Sequence, residues 1–227
     1  MEYPGRALIG FDFPFGYPFN SSIGGGLTAA QRISKLLFSD HRDANNRFDA
    51  AATLNRQISL YKGPFWGCPT AFTNEDLSTT KPPFHHENFQ EWRLVERYLK
   101  EKKYRIMNVW QLLGQGSVGS QTLTGLKALN DLYSVQDLKP ALKFWPFDTK
   151  WNLDLNGIIL TEVWPSLNNI SAYTHPIKDA CQVMACRDWI LKHNAGNTIR
   201  ELFEAPEWLS PAERQQCEQE EGWILGV

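Results

Sequence analysis

The sequence predicts an α/β protein with a mixed or parallel sheet covered by helices. Three features predict it: short apolar runs that each stop at a proline, amphipathic stretches between them, and their alternation along the chain. The first run, Ala7-Leu-Ile-Gly-Phe-Asp-Phe13, ends at Pro14, Gly16 and Pro18, and reads as a buried strand closed by a rigid turn with Asp12 at its carboxyl end. After Gly24-Gly-Gly26, Thr28 is suited to cap a helix carrying Ile33, Leu36 and Leu37 on one side. Asp43 or Asn45 is suited to cap a second, running to about Ile58. Residues 61–88 mix Pro, Gly, Thr and aromatics without a period, which predicts a long irregular insertion.

Helical spacing returns over residues 89–103 through Trp92, Val95, Glu96 and Leu99, and residues 106–113 read as a strand before Gly114. Leu123, Leu126, Leu129 and Leu132 line one side of a helix over residues 122–135. Two further strands are expected over 142–147 and 157–164, punctuated by Pro146 and Pro165. A helix over 178–193 would turn Ala180, Val183, Met184, Ile190 and Leu191 inward, and a short one follows over 211–220. With no internal repeat, residues 1–227 read as a single domain.

Composition narrows the function classes. The apolar runs fall short of the roughly 20 residues of a spanning helix, and no basic-then-apolar secretory start precedes Gly5, so no membrane role is expected. Cys68, Cys181, Cys186 and Cys217 lack CxxC spacing, which points to free thiols in a reducing, cytoplasmic setting. A net charge of -2 gives no general attraction to a polyanion. Nucleic acid would therefore bind locally, and the one basic patch is Lys100, Lys102, Lys103 and Arg105. The histidines form no HxxxH or HExxH pattern, and Ser117 and Ser120 lack a GxSxG elbow, which removes support for zinc-hydrolase and serine-hydrolase chemistry.

Three carboxylates stand where chemistry could use them. Asp12 lies among apolar residues at a strand end, where a charge requires a cation, an arginine or backbone N–H groups of the following turn. Glu162 closes a second apolar strand before Pro165, with a salt bridge to Arg187 or a similar neighbour as the plain alternative. Asp179 sits in the first turn of a helix, where the macrodipole favours a negative charge whatever the function. Together they suit a divalent Mg²⁺ or Mn²⁺ site, with Asp148 as an additional ligand candidate. Gly114, Gly116 and Gly119 complete a GxGxxG turn whose amides, with Ser117 and Ser120, could cradle a phosphate. No acidic residue follows at dinucleotide-fold distance, so an anion-binding or purely conformational turn is the reading kept. Asn46 and Arg47 could add amide and guanidinium donors; capping asparagines and a surface arginine are the alternative.

The segments IGFDFPFGYP, ANNRF, GPFWG, VWQLLGQGSVGSQTLTG, TEVWPS, IKDACQ and EEGWILGV together resemble an uncharacterised bacterial family of RNase H-like predicted nucleases, over nearly the whole chain. Some members of that family are labelled molybdopterin guanine dinucleotide or cobalamin biosynthesis proteins. The resemblance implies an RNase H-like mixed sheet and a metal-binding acidic cluster at Asp12, Glu162 and Asp179. It also implies a departure: relatives place a strand with a VDWS-like aspartate, a hairpin partner and a helix before the FDFPFG strand, and this chain starts at that later strand. A truncated form, an oligomer that completes the sheet, or lost activity are the three consequences. The expected function is a metal-dependent nuclease or phosphodiesterase acting on nucleic acid or a nucleotide-like phosphate. The alternatives are a non-catalytic nucleotide- or cofactor-binding accessory protein with Phe65 and Trp66 as a stacking pocket, and a degenerate fold kept for interactions.

Overall fold

The computed structural model describes residues 6–59 and 62–227; the stretch up to Gly5, read for a secretory start, and Tyr61, where the irregular insertion is expected to begin, lie outside the described residues. The chain is mixed α/β. Strands β1 (Ala7–Phe11), β2 (Leu142–Phe144) and β3 (Ile158–Glu162) form a parallel sheet in the order β1-β3-β2. Six α-helices accompany it among the described residues: α1 (Gly26–Ser34), α2 (Arg47–Ile58), α3 (Leu94–Glu101), α4 (Val118–Tyr133), α5 (Lys178–Ala195) and α6 (Pro211–Gln216). No helix among them is long and apolar enough to cross a membrane.

The central strand shows why the sheet lies inside. All five residues of β3 are buried, as expected for a parallel strand covered on both faces. Strand alternation splits its side chains between two apolar layers. Ile158 and Leu160 join the layer of α1, α2 and α4, through Ala29, Ile33, Leu54 and Leu123. Ile159 and Val163 join the layer of α3, α5 and the carboxyl-terminal segment, through Val95, Leu99, Cys186 and Trp223. Each large aliphatic side chain so buried contributes roughly 1.5–3 kcal/mol. Strand β1, by contrast, is an edge strand, with Ile9 40% exposed.

Parallel pairing sets Phe11 beside Glu162, so Asp12 leaves β1 next to the carboxyl end of β3. The turn after Asp12 packs closely on the chain's last turn: Tyr17 N–H donates to the Glu220 carbonyl at 3.2 Å, and a methyl group on Gly16 would overlap that carbonyl. A wide turn over Cys217–Glu221 follows α6 and returns the chain, so that the Leu225 N–H donates to the Glu162 carbonyl at 3.0 Å.

Several elements differ from the sequence reading. Residues 106–113 are not a strand; only a single bridge joins Gln111 to Trp66, because Val109, Trp110 and Leu112 turn into the core instead of pairing along a ladder. The first helix starts at Gly26 from Gly25, two residues before Thr28, and ends before Leu36 and Leu37. The second starts after Asn46, not at Asp43 or Asn45, and α3 is shorter than expected because Arg93 stands at its N-cap in extended conformation. The fourth begins at Val118, directly after the glycine turn. In α5 the inward face is Cys181, Ala185 and Cys186, while Val183 (64%) and Leu191 (55%) face solvent; its apolar residues are scattered around the helix rather than gathered in one stripe. Phe65 is no stacking surface, since it is fully buried against Tyr17 and Trp110.

Candidate functional site

Asp12 lies beside Glu162 at the carboxyl end of the sheet, where ligands of open parallel sheets bind, and within reach of the charge of Asp179. A cleft of about 160 Å³ opens there, lined by Asp12 and Glu162, by Arg105 and Met107, and by Val118 and Gln121 from the start of α4. The Asp12 carboxyl reaches solvent at the strand end, yet enough protein crowds it that desolvation is the first cause of its raised pKa. The charges of Glu162 and Asp179 add to that cause and bring it to about 6 from the ordinary 3.8. Among the described residues Asp12 has no ion-pair partner and accepts no hydrogen bond.

Glu162 is in a different state. Its two oxygens accept from Arg93 Nη1 at 2.8 Å and Nη2 at 2.7 Å, a bidentate pair. Arg93 Nε donates to Glu96 at 2.9 Å, and Nη1 also donates to the Glu221 carbonyl at 3.0 Å. All three side chains are buried, so one guanidinium serves two carboxylates inside the protein. For Arg93, burial works to lower the pKa, and Glu162 and Glu96 outweigh it, leaving the cation firmly charged. For Glu96, burial outweighs the pull of Arg93 and raises the carboxyl to about 7. Glu162 thus pairs with Arg93 and not with Arg187, which is bound to Asp188 at 2.7 Å.

Asp179 stands exposed in the first turn of α5. Asp148 lies elsewhere in role: its carboxylate accepts from the Phe144 N–H at 2.8 Å and closes the turn after β2. Among the described residues no group of three or more His, Cys, Asp or Glu side chains is placed to hold a metal ion. Three-carboxylate ligation does not fit while Arg93 occupies both oxygens of Glu162. Asp12, which has no ion-pair partner among the described residues, and Asp179, whose charge acts on it, are the two carboxylates left for an ion of the Mg²⁺ kind, which binds one or two carboxylates, several waters and substrate phosphate.

Gly114 and Gly116 take positive φ, and three amides at the end of the glycine turn are used within the chain: Val118 N–H donates to Gly116 O, Gly119 N–H to Gln111 O and Ser120 N–H to Ser117 O. Ser120 Oγ donates to Leu112 O at 2.6 Å and accepts from Arg47 Nε at 3.2 Å, so Arg47 and Ser120 do meet. Asn46 is spent on the preceding turn, accepting from Phe38 N–H and donating to Leu36 O. Directly after the turn, Val118 and Gln121 from the start of α4 line the cleft.

Sequence reasoning did not select Arg93, Glu96 or Arg105 for the site. A signal existed for the first two: an arginine and a glutamate three apart at the head of an amphipathic helix, next to its apolar Leu94, Val95 and Leu99, where an ionisable group turned inward needs a partner. Comparisons of the chain with protein families, curated proteins and solved structures find no match.

Proposed function

We propose that the chain is a divalent-metal-dependent phosphodiesterase or nuclease of the RNase H-like class, working in the cleft where β1 and β3 end. One observation carries this reading: Asp12 is a carboxylate without a cation, held beside two like charges. A doubly charged ion relieves that repulsion, and an isolated carboxylate so placed is otherwise a cost to the fold. When bound, such an ion supplies polarisation of a phosphoryl oxygen and a water of lowered pKa.

The chain's own residues take the remaining roles. Asp12 and Asp179 hold the ion. Glu162, fixed by Arg93, forms part of the cleft wall and sets the position of the β3 end. Arg105, which makes no ion pair among the described residues, and Gln121 face the cleft as donors for phosphate oxygens. Arg47 acts through Ser120 on the start of α4 and is a positioning residue.

The test is incubation of the protein with single-stranded and duplex RNA and DNA, with Mg²⁺, Mn²⁺ or chelator, alongside thermal unfolding with metal alone. Cleavage that needs the metal, and a melting temperature raised by metal without substrate, are expected. No cleavage together with no metal-induced shift contradicts the proposal. The ion pair of Glu162 with Arg93 favours one second reading, a nucleotide-binding accessory protein that needs no metal. That reading predicts stabilisation by nucleotides in chelator and no hydrolysis.

A further inference from the structure

Beside the Asp12 cleft lies a larger cavity of about 420 Å³, within the roughly 300–1,000 Å³ typical of small-molecule sites. Four aromatic side chains, Tyr98, Tyr104, Trp164 and Trp189, line it together with Lys102 and Asn168. Tyr104 and Trp164 meet edge to face, with centroids 5.7 Å apart at 71°, and Tyr98 is held by stacking on Trp208 at 4.6 Å. Lys102 Nζ stands 5.4 Å from the Tyr98 ring and has no carboxylate partner among the described residues.

Two connections make the cavity and the cleft neighbours. Val163 and Trp164, which directly follow Glu162, line both. The exposed segment 102–105 also serves both, giving Lys102 and Tyr104 to the cavity and Arg105 to the cleft. Consistent with this adjacency, the Cys186 thiol in the cavity wall is pushed up first by burial and then by the charge of Asp12.

The geometry points to a subsite for the base of an unpaired nucleotide: the base stacks in the aromatic cavity, and its backbone phosphate runs past Lys102 and Arg105 toward Asp12. This rests on the phosphodiesterase reading and names its substrate as single-stranded nucleic acid. Aromatic faces next to unpaired cations are the means by which single strands are held, because every base offers a π-face and every linkage a negative charge. The Asn168 amide can both donate to and accept from a base edge. A base inside a duplex is stacked on its neighbours and cannot enter such a cavity without being extruded.

Fluorescence anisotropy of a labelled short oligothymidine, in chelator so that no metal contributes, tests the subsite apart from catalysis. Tyr104→Ala, at a half-exposed position, is expected to weaken binding about tenfold while Tyr104→Trp retains it, as loss and restoration of one stacking platform. Lys102→Ala, on an exposed side chain, is expected to reduce the slope of log affinity against log salt by about 1, and the matched duplex to bind at least about tenfold more weakly. Wild-type affinity in Tyr104→Ala, or equal binding of duplex, overturns the inference even if metal-dependent cleavage is intact. The catalytic reading fails separately, if this binding pattern holds and no metal produces cleavage.

Discussion

Replacing Arg93 by methionine is expected to lower the unfolding free energy by about 3–5 kcal/mol, the range for breaking a buried ion pair from one side. The reason is charge count. Glu96 and Glu162 are both buried, both are served by the one guanidinium, and its removal leaves two carboxylates facing each other out of water. The Glu221 carbonyl loses its donor as well. Adding Glu162→Gln to the variant is expected to restore part of the loss, because one stranded charge is then gone; the cycle isolates the coupling. Urea unfolding measures both. A loss below about 1 kcal/mol in Arg93→Met would show that the buried network does not hold α3 to β3.

Asp12→Asn is expected to do two opposite things. Metal-dependent cleavage falls by on the order of 100-fold or more, since metal charge stabilisation is worth several kcal/mol and each 1.36 kcal/mol is a factor of ten. Stability at neutral pH instead rises, by about 1 kcal/mol once solvent screening at this exposed carboxyl is discounted. The sign follows from linkage. Asp12 is raised to about 6 in the folded chain from 3.8, so the folded state binds its proton more tightly. Its contribution to stability is present in acid, and is lost as pH rises from about 4 through 6. Glu96, raised to about 7 from 4.5, acts in the same direction over a slightly higher window. The asparagine variant should therefore show a shallower fall in stability across pH 4 to 6. Equal cleavage, or a less stable variant at pH 7, contradicts this account. A site residue whose replacement stabilises the fold is the expected trade of function against stability.

How much of this was legible in the sequence follows from what each feature depends on. Strands β1 and β3 and helix α4 were readable because an apolar run stopped by proline, or leucines three residues apart, is a local pattern. So was the position of Asp12, since a strand end is a local fact. The partner of Glu162 was not: Arg93 and Arg187 are equally good arginines in one dimension, and only the folded chain brings the first to the carboxylate and leaves the second with Asp188. Residues 106–113 misled for a related reason. Their β-prone side chains are real, yet Trp110 Nε1 donates to the Glu91 carbonyl and Trp110 packs on Phe65 and Tyr17, so core packing took the segment away from the sheet. The glycine turn matched an anion-binding pattern, yet its Val118, Gly119 and Ser120 amides donate within the chain, which no spacing rule reveals.

The most direct measurement is the titration of the Asp12 side-chain carboxyl by carbon-13 NMR, with and without Mg²⁺. A midpoint near 6 that moves down when Mg²⁺ is added is the predicted result, because a bound cation favours the ionised carboxylate against the burial and the neighbouring charges that raise it. A midpoint near 3.8, unmoved by Mg²⁺, would mean that Asp12 is an ordinary surface carboxylate and that the cleft is not a metal site.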